Sequence, residues 1–266
     1  MPHFDDIRED QAAAVLAAAL AQIDPAGPSQ GGTLAGSSIV AAPDDGLSRW
    51  LRPDEVARLL ECYGIPTARW QLAETAADAG RAAEEIGGPI ALKAVVTGIV
   101  HKAEARAVVL SLEGAAAVED AANRMAATLA AAGHPVERFF VQQMVPDGVE
   151  MLVGVVHDRL FGPVIACGAG GAEVELLRDV AVRITPLTDR DASEMIRSLA
   201  TFPLLDGYRS APRADVVALE ETLLRVSAMV EAHPEVVEMD CSPLMVLRQG
   251  AVVIDAKIRI ELPLAR

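Results

Sequence analysis

Strand-like and helix-like segments alternate irregularly along this chain, and no internal repeat links them. A regular series of βαβ units would place one helix after each strand, which is not the order found here. The order therefore predicts a mixed α/β or α+β class. Short apolar runs typical of strands lie at 90–96, 108–112, 139–144, 150–156, 164–167, 236–240, 244–247 and 251–258. Helical patterns lie at about 51–63, 75–87, 115–132, 188–200 and 215–232.

The first 46 residues differ in character from the rest of the chain. Residues 7–22 are rich in alanine and predict one helix. Residues 24–46 are rich in Pro, Gly and Ser, as flexible linkers are. We therefore expect residues 1–46 to form an appended helix and a linker, and residues 47–266 to form the main domain.

The chain is acidic, with a formal net charge of −15 and a pI near 4.7. An acidic surface repels nucleic-acid phosphates and anionic lipids, so we expect neither nucleic acid nor a membrane as a partner. Three widely spaced cysteines without a CxxC pair argue against a disulfide framework and a zinc site. The first residues do not follow the pattern of a signal peptide, and no early apolar run could span a bilayer. The expected compartment is therefore the cytoplasm.

Lys93 is the one charged residue in the apolar run 90–96. A lysine among apolar neighbours loses hydration, and an anion that meets it offsets this cost. The alternative is a lysine on an edge strand whose amine reaches water. The stretch that follows carries His101, Lys102 and Arg106 and could close over a polyphosphate, although such residues in loops are commonly just solvated.

A glycine-rich turn, 168–171, follows the strand-like run 164–167. Such turns expose backbone N–H groups to anions, and they also occur where a tight turn needs a positive φ. The GxGG spacing does not fit a dinucleotide-binding fingerprint.

Acidic residues lie at the ends of two successive strand-like runs near the end of the chain. Glu238, Asp240 and Asp255 can therefore face the same point, with Ser242 beside them. Oxygen ligands from adjacent strands, completed by substrate phosphates, are the usual way in which proteins hold Mg²⁺. The alternative is that the two aspartates are ordinary turn residues.

Taken together, these pieces are similar in order and spacing to one known family. The chain from about Leu51 to Ile258 resembles the ATP-grasp portion of ADP-forming acetyl-CoA (acyl-CoA) synthetases, relatives of the succinyl-CoA synthetase β subunit. The start of the chain resembles the junction in actinobacterial fusions with an N-acetyltransferase. The matching stretches are 92–93, 101–102, 141–144, 148–151, 161–163, 168–171, 174–179, 186–187, 204–209, 238–244 and 255–258.

The resemblance implies an ATP-grasp fold, an α+β fold in which two lobes grip a nucleotide. The implied small lobe covers about 72–138, and the large lobe covers 47–71 and 139–266. The implied cofactors are ATP or ADP and Mg²⁺. Adenine would lie at Gln142, Gln143 and Met144, and the ribose at Glu150. The residues implied at the phosphates are Lys93, Lys102 and Arg106.

The resemblance also implies the chemistry. Arg183 would steady the transferred phosphoryl group, His101 would be a second phosphoryl carrier, and Ser242 and Asp255 would hold Mg²⁺. The implied reaction joins an acid and CoA at the expense of ATP and yields acyl-CoA, ADP and phosphate. This chain would carry the nucleotide half of it, and a CoA-binding partner domain or subunit would supply the main phosphohistidine.

The chain departs from the family pattern in two places. The family has Gly-Gly where this chain has Arg106-Ala107, and Asn where it has Ser242. A side chain at 106 can hinder the approach of phosphate or act as an extra clamp. A Ser hydroxyl can ligate Mg²⁺, but from a shorter side chain. The alternative function is therefore a catalytically degraded ATP-grasp module with a regulatory or structural role in an acetyltransferase-like fusion.

Overall fold

The computed structural model describes residues 4–23, 47–96, 107–146, 148–171, 179–209 and 211–262. Contacts divide the chain into two compact units. The larger unit comprises Met1–Leu51, Glu55–Thr67 and Asp147–Arg266, and the smaller unit comprises Arg52–Asp54 and Ala68–Pro146.

Helices and strands are numbered in chain order. The helices are α1 (Glu9–Leu20), α2 (Pro53–Cys62), α3 (Ala76–Ile86), α4 (Ala115–Ala131), α5 (Asp189–Arg197), α6 (Phe202–Leu205) and α7 (Val216–Ala232). The strands are β1 (Ser48–Trp50), β2 (Trp70–Ala73), β3 (Ile90–Val95), β4 (Val108–Leu112), β5 (Arg138–Gln143), β6 (Val149–Asp158), β7 (Gly162–Ala169), β8 (Val180–Ile184), β9 (Val236–Val246), β10 (Ala251–Val253) and β11 (Ala256–Glu261).

Local signals set the start of two helices as the sequence predicts. Thr75 caps α3, where its hydroxyl accepts from the Asp78 N–H and the Asp78 carboxylate accepts from the Thr75 N–H, both at 3.1 Å. Thr188 and Asp191 form the same capping box at α5. Each box satisfies donors that a helix leaves unpaired in its first turn, so the chain enters both helices at a defined residue.

The larger unit is built on an antiparallel sheet. Its seven strands among the described residues follow the order β1-β11-β9-β6-β7-β8, and β10 pairs with β9. Side chains alternate across a strand, so each strand has one set of residues on each face of the sheet. One set, which includes Met151, Val153, Ile165, Cys241 and Ile258, packs with the helices in a single core.

The other set of side chains lies on what we call the outer face of the larger sheet. The pairing register shows which residues of neighbouring strands belong to this face, because residues opposite each other in an antiparallel pair lie on the same face. Its members are Glu150, Leu152, Gly154, Val156, Val164, Ala166, Gly168, Val180, Val182, Ile184, Glu238, Asp240, Ser242, Lys257 and Arg259.

The smaller unit is built on a four-stranded sheet in the order β2-β5-β3-β4, counted over the described residues. Ile90, Leu92, Phe139 and Val141 pack against α3 and α4 on one face. The outer face of the smaller sheet, which points away from these helices, carries Trp70, Leu72, Ala91, Lys93, Val95, Val108, Phe140 and Gln142.

Both sheets are antiparallel and both pack with helices, which confirms the mixed α+β class.

The boundary between the units differs from the expected one at about 138. The reason is that β5 pairs with both β2 and β3, so it belongs to the centre of the smaller sheet. The last strands also differ from the predicted ones. Residues 236–246 form one strand instead of two, and residues 251–258 are divided between β10 and β11. The strand β9 continues through Pro243 because its pairing with β6 shifts register between Met151 and Val153.

The N-terminal helix α1 is part of the core of the larger unit rather than an appendage. Ala12, Leu16 and Ala19 recur on one side of the helix and are completely buried. This side joins the same apolar cluster as α2 and α7. The linker predicted at 24–46 lies outside the described residues.

Arg225 of α7 fastens the segment that precedes α1. Its guanidinium donates to the Tyr63 carbonyl oxygen at 2.9 Å and to the Asp6 carboxylate at 3.0 Å. It also lies 4.3 Å from the centroid of the Phe4 ring. Charge-assisted hydrogen bonds of this kind are stronger than neutral ones, so they add a polar anchor to the buried apolar side of α1.

No helix of the described residues is both long enough and apolar enough to cross a membrane.

The burial of α1 predicts that Leu16→Ala destabilises the larger unit. A buried Leu→Ala change costs about 2–5 kcal/mol of unfolding free energy. The chain has two tryptophans, Trp50 in the larger unit and Trp70 in the smaller. Urea unfolding followed by Trp50 fluorescence in a Trp70→Phe background therefore reports the larger unit. Gln11→Ala on the exposed side of α1 is the control, with an expected change within about 0.5 kcal/mol. Equal unfolding of the two variants would mean that α1 is not part of this core.

Candidate functional site

Lys93 lies in the middle of the smaller sheet. Val108 of β4 is opposite it on one side and Phe140 of β5 on the other. Its neighbours Leu92 and Ala94 belong to the helix-packed core, so Lys93 points to the outer face. Only 6% of the residue is exposed. The alternative of a lysine on an edge strand is therefore wrong, because β3 has a paired strand on each side.

Gln142 lies on the same outer face as Lys93. It is opposite Ala91 of β3 and Trp70 of β2, and it is 3% exposed. Beside it, the rings of Trp70 and Phe140 stack with centroids 5.0 Å apart. Lys93 and Gln142 thus share an apolar surface with a pair of stacked aromatic rings. Because such a surface excludes water, it strengthens electrostatic contacts.

Gln143 and Met144 are placed differently from Gln142. Gln143 has the opposite strand parity, so its side chain does not share the outer face with Lys93. The Gln143 N–H donates to the Arg69 carbonyl oxygen at 2.8 Å, and the Met144 N–H donates to the Pro89 carbonyl oxygen at 2.9 Å. Both N–H groups are therefore used within the smaller unit.

In the larger unit, Ser242 and Asp255 are neighbours across two strands. Cys241 of β9 is paired with Ala256 of β11, so the next residues along, Ser242 and Asp255, come to adjacent positions. The N–H groups of residues 254 and 255 both point to the Pro243 carbonyl oxygen, at 3.0 and 3.5 Å. The structure thus brings together the two residues that the sequence predicts as metal ligands.

Charged side chains continue from this point along the outer face. Lys257 is opposite Asp240, and Arg259 is opposite Glu238, with 3.0 Å between Arg259 Nε and Glu238 Oε2. Burial raises the pKa of the Asp240 carboxyl. The Lys257 ammonium opposes this rise, and the carboxylates of Asp255 and Glu238 add to it. Acidic side chains, with basic partners opposite two of them, are therefore grouped beside Ser242.

The donors at this point fit a magnesium ion in chemical type. Asp255 offers a carboxylate and Ser242 a hydroxyl, with the Asp240 carboxylate next to them, and hard cations prefer oxygen ligands. Among the described residues, no group of three or more His, Cys, Asp or Glu side chains is arranged to hold a metal by itself. Magnesium commonly takes only one or two protein carboxylates and fills its shell with phosphate oxygens and water.

The sequence already grouped Asp240 with Glu238 and Asp255 as acidic residues that can face one point, although only Ser242 and Asp255 were expected to be the metal ligands. The two-residue period of a strand puts residues 240 and 242 on one face. Lys257 was not assigned to the site from the sequence. It can be placed at the site only from the pairing of β9 with β11, which no local sequence pattern predicts.

The glycine-rich turn after β7 is explained by close packing. A Cβ at Gly170 would lie 2.6 Å from Glu150 Cγ, and a Cβ at Gly168 would lie 2.7 Å from the Asp179 carbonyl oxygen. Both distances are shorter than real Cβ contacts, so only glycine fits. The Gly170 N–H donates to the Glu150 carbonyl oxygen at 2.7 Å, which means that it is not exposed for an anion.

Arg183 does not join the other predicted residues. It is opposite Ile165, which is completely buried in the core, so its side chain starts on the helix side of the larger sheet. Ser242 lies on the outer face instead. The Arg183 guanidinium donates to the Val182 carbonyl oxygen of its own strand at 2.9 Å. Strand alternation therefore keeps Arg183 apart from Ser242 on the larger sheet, and its role at the transferred phosphoryl group stays a prediction.

His101, Lys102 and Arg106 lie outside the described residues, so their expected roles remain predictions from the sequence.

Comparison with known proteins gives the family. A model of the ATP-grasp domain matches residues 42–260. The chain is 40% identical over 204 residues to acetate–CoA ligase (ADP-forming) II of Archaeoglobus fulgidus, a match that covers 77% of this chain and 29% of that protein. It is 36% identical over 212 residues to the β subunit of acetate–CoA ligase (ADP-forming) II of Pyrococcus furiosus, covering 78% of this chain and 90% of that subunit.

Solved structures agree with these relatives. The fold is similar to that of acetyl-coenzyme A synthetase 1 of Ca. Korarchaeum cryptofilum, with a TM-score of 0.76 and 32% identity over 79% of this chain and 93% of that chain. A second structure of that protein, bound to coenzyme A and Mg-AMPPCP, gives a TM-score of 0.71, also at 32% identity, over 79% of this chain and 92% of that chain.

The chain spans only 29% of the length of the A. fulgidus ligase but nearly all of the separate P. furiosus β subunit. The matched region contains all of the smaller unit, most of the larger unit and every predicted site residue, whereas α1 lies before it. This chain belongs to the ATP-grasp domain family, and within it the chain matches the β subunits of ADP-forming acetyl-CoA synthetases.

Proposed function

We propose that this chain is the nucleotide-binding, phosphoryl-transferring component of an ADP-forming acyl-CoA synthetase. The observation that carries the proposal is the position of Lys93, a buried cation in a central strand on the outer face of the smaller sheet. An ammonium inside a sheet, where little water screens it, attracts anions strongly, and the phosphates of a nucleotide are such anions.

The names of the relatives support the same activity. The A. fulgidus and P. furiosus proteins are named as ADP-forming acetate–CoA ligases, and the Korarchaeum protein was solved with coenzyme A and a magnesium-bound ATP analogue. These names do not favour the alternative of a degraded, non-catalytic module. A cytoplasmic location stays a prediction.

In the smaller unit, Lys93 contacts the phosphates of ATP in this proposal. Gln142 lies on the same face of the sheet as Lys93. It contacts the adenine base of the nucleotide, together with the chain segment that continues to Met144. Because the N–H groups of Gln143 and Met144 are used within the unit, the base is recognised there by side chains and apolar contact rather than by these two donors.

In the larger unit, Ser242 and Asp255 are the residues that would hold Mg²⁺, and Glu150 contacts the ribose. The ion supplies neutralisation of phosphate charge, which phosphoryl transfer requires. Lys257 limits the repulsion between Asp240 and the incoming phosphates, because it lies directly opposite that carboxylate.

In the proposed reaction the bond between the γ-phosphorus of ATP and its bridging oxygen breaks, and ADP leaves. A bond from phosphorus to a histidine nitrogen forms, and that nitrogen belongs to a CoA-binding partner domain or subunit. His101 remains a proposed second carrier on this chain. The contribution of this chain is to orient the phosphates and to compensate their charge. The role of Arg183 at the transferred phosphoryl group also stays a prediction.

The proposal predicts that Lys93→Met weakens ATP binding. Methionine keeps the length and the apolar stem, so the change removes mainly the charge. We expect at least a tenfold rise in Kd, because a charged hydrogen bond contributes about 1.5–3 kcal/mol. Calorimetric titration of ATP and ADP with Mg²⁺ into the full chain measures it.

Arg138→Met is the matched control for Lys93→Met. Arg138 lies in β5 opposite Val95, on the same strand pair, but its side chain is 44% exposed and pairs with Glu74. We expect no more than a twofold change in Kd for this variant. Absence of binding at millimolar nucleotide in the wild-type chain would contradict the proposed function.

The proposed metal ligands predict that Asp255→Asn removes the magnesium dependence of ATP binding. The ratio of Kd values without and with Mg²⁺ should fall towards one, since the amide keeps the shape but lacks the charge that holds the ion. Ser242→Asn, which introduces the residue that the family pattern has there, should increase this ratio. Asp206→Asn, an exposed change in the same unit, should leave it unaltered. An unchanged ratio in Asp255→Asn would exclude this residue as a ligand.

A further inference from the structure

Gly170 leaves the space that the Glu150 side chain occupies. A Cβ at this position would lie 2.6 Å from Glu150 Cγ, 2.8 Å from the Glu150 carbonyl carbon and 2.9 Å from the Met151 nitrogen. The hydrogen bond from the Gly170 N–H to the Glu150 carbonyl oxygen, at 2.7 Å, holds the two backbones at this separation. A larger residue at 170 must therefore change the Glu150 rotamer or force the strands apart.

We propose that Gly170 is a positioning residue that orients the Glu150 carboxylate towards the ribose hydroxyls of the nucleotide. The inference rests on the proposed function, in which Glu150 contacts the ribose. It assigns the sugar selectivity of the chain to a contact within the larger unit, between the start of β6 and the turn after β7.

The chemistry of the contact explains why orientation matters. A carboxylate is an acceptor with two oxygens, and the 2′- and 3′-hydroxyls of ribose are adjacent donors. Charge-assisted hydrogen bonds are short and directional, and they weaken steeply when the angle falls. Glu150 follows directly on Val149, where β6 is fixed to β9 through the pair Val149–Val246, so its backbone position is set. What remains variable is the side-chain rotamer, and Gly170 leaves room for the rotamer in which Glu150 Cγ lies over it.

A purely structural role of Gly170 is the competing explanation, because two of its three close approaches are to backbone atoms. Gly168 offers the comparison. A Cβ there would lie 2.7 Å from the Asp179 carbonyl oxygen and 2.9 Å from Val180 Cγ2, so it is crowded to the same degree. Its close neighbours belong to β8 and the residue before it, not to Glu150. Gly168→Ala therefore introduces similar crowding without touching Glu150.

The test compares ATP with 2′,3′-dideoxy-ATP, which lacks both ribose hydroxyls. Calorimetric titration with Mg²⁺ is carried out on the full wild-type chain and on Gly170→Ala, Gly168→Ala and Glu150→Ala. We expect the wild type and Gly168→Ala to bind ATP about tenfold more tightly than the dideoxy analogue, the preference that one charged hydrogen bond gives. We expect Gly170→Ala and Glu150→Ala to bind both nucleotides equally. Inorganic tripolyphosphate, which has no sugar, should bind all four proteins alike.

Glu150→Asp keeps the test informative if Gly170→Ala does not fold. It leaves the glycine in place and withdraws the carboxylate by one methylene, so it too should lose the preference for ribose. A preference retained in Gly170→Ala, or lost equally in Gly168→Ala, would overturn the inference. A wild-type chain that binds ATP without any preference would overturn it while the proposed function stands. A wild-type chain that binds neither ATP nor tripolyphosphate would refute the proposed function itself.

Discussion

Alternation of side chains across two antiparallel sheets determines where the candidate residues in the described strands point. Each sheet gives one set of residues to a helix-packed core, and the other set is left for an outer face. A shift of register by one residue would exchange the two sets, so the core packing that fixes register also fixes the candidate site. Lys93 and Gln142 on the smaller sheet, and Asp240, Ser242 and Glu150 on the larger, all depend on this single constraint.

The constraint also explains how polar groups are tolerated in the middle of sheets. The outer face of the larger sheet carries Glu238 opposite Arg259 and Asp240 opposite Lys257, so charges of opposite sign face each other across β9 and β11. Buried charges are stable only when they are paired in this way or meet a ligand. An acidic chain can thus present a phosphate-binding surface, because local pairing rather than net charge sets the potential there.

Sequence patterns identified the features that depend on neighbours along the chain. The helices that begin after Thr75 and Thr188 were predicted from the residues around them, and each begins at a capping box whose two side chains lie three positions apart. Features that depend on pairing between distant strands were missed. The strand β8 was not predicted, and the face that Arg183 occupies follows only from its pairing with Ile165. The glycine-rich turn was recognised, but its contact with Glu150 requires the register of β6 and β7.

The most direct measurement of the central claim is photolabelling of the full chain with 8-azido-ATP and Mg²⁺, followed by peptide mapping. The account predicts that the label falls on the segment that contains Gln142 to Met144 and that unmodified ATP prevents it. Labelling that ATP does not prevent, or that falls on peptides from the helices of either unit, would contradict the claim that this chain binds the nucleotide through its outer-face residues.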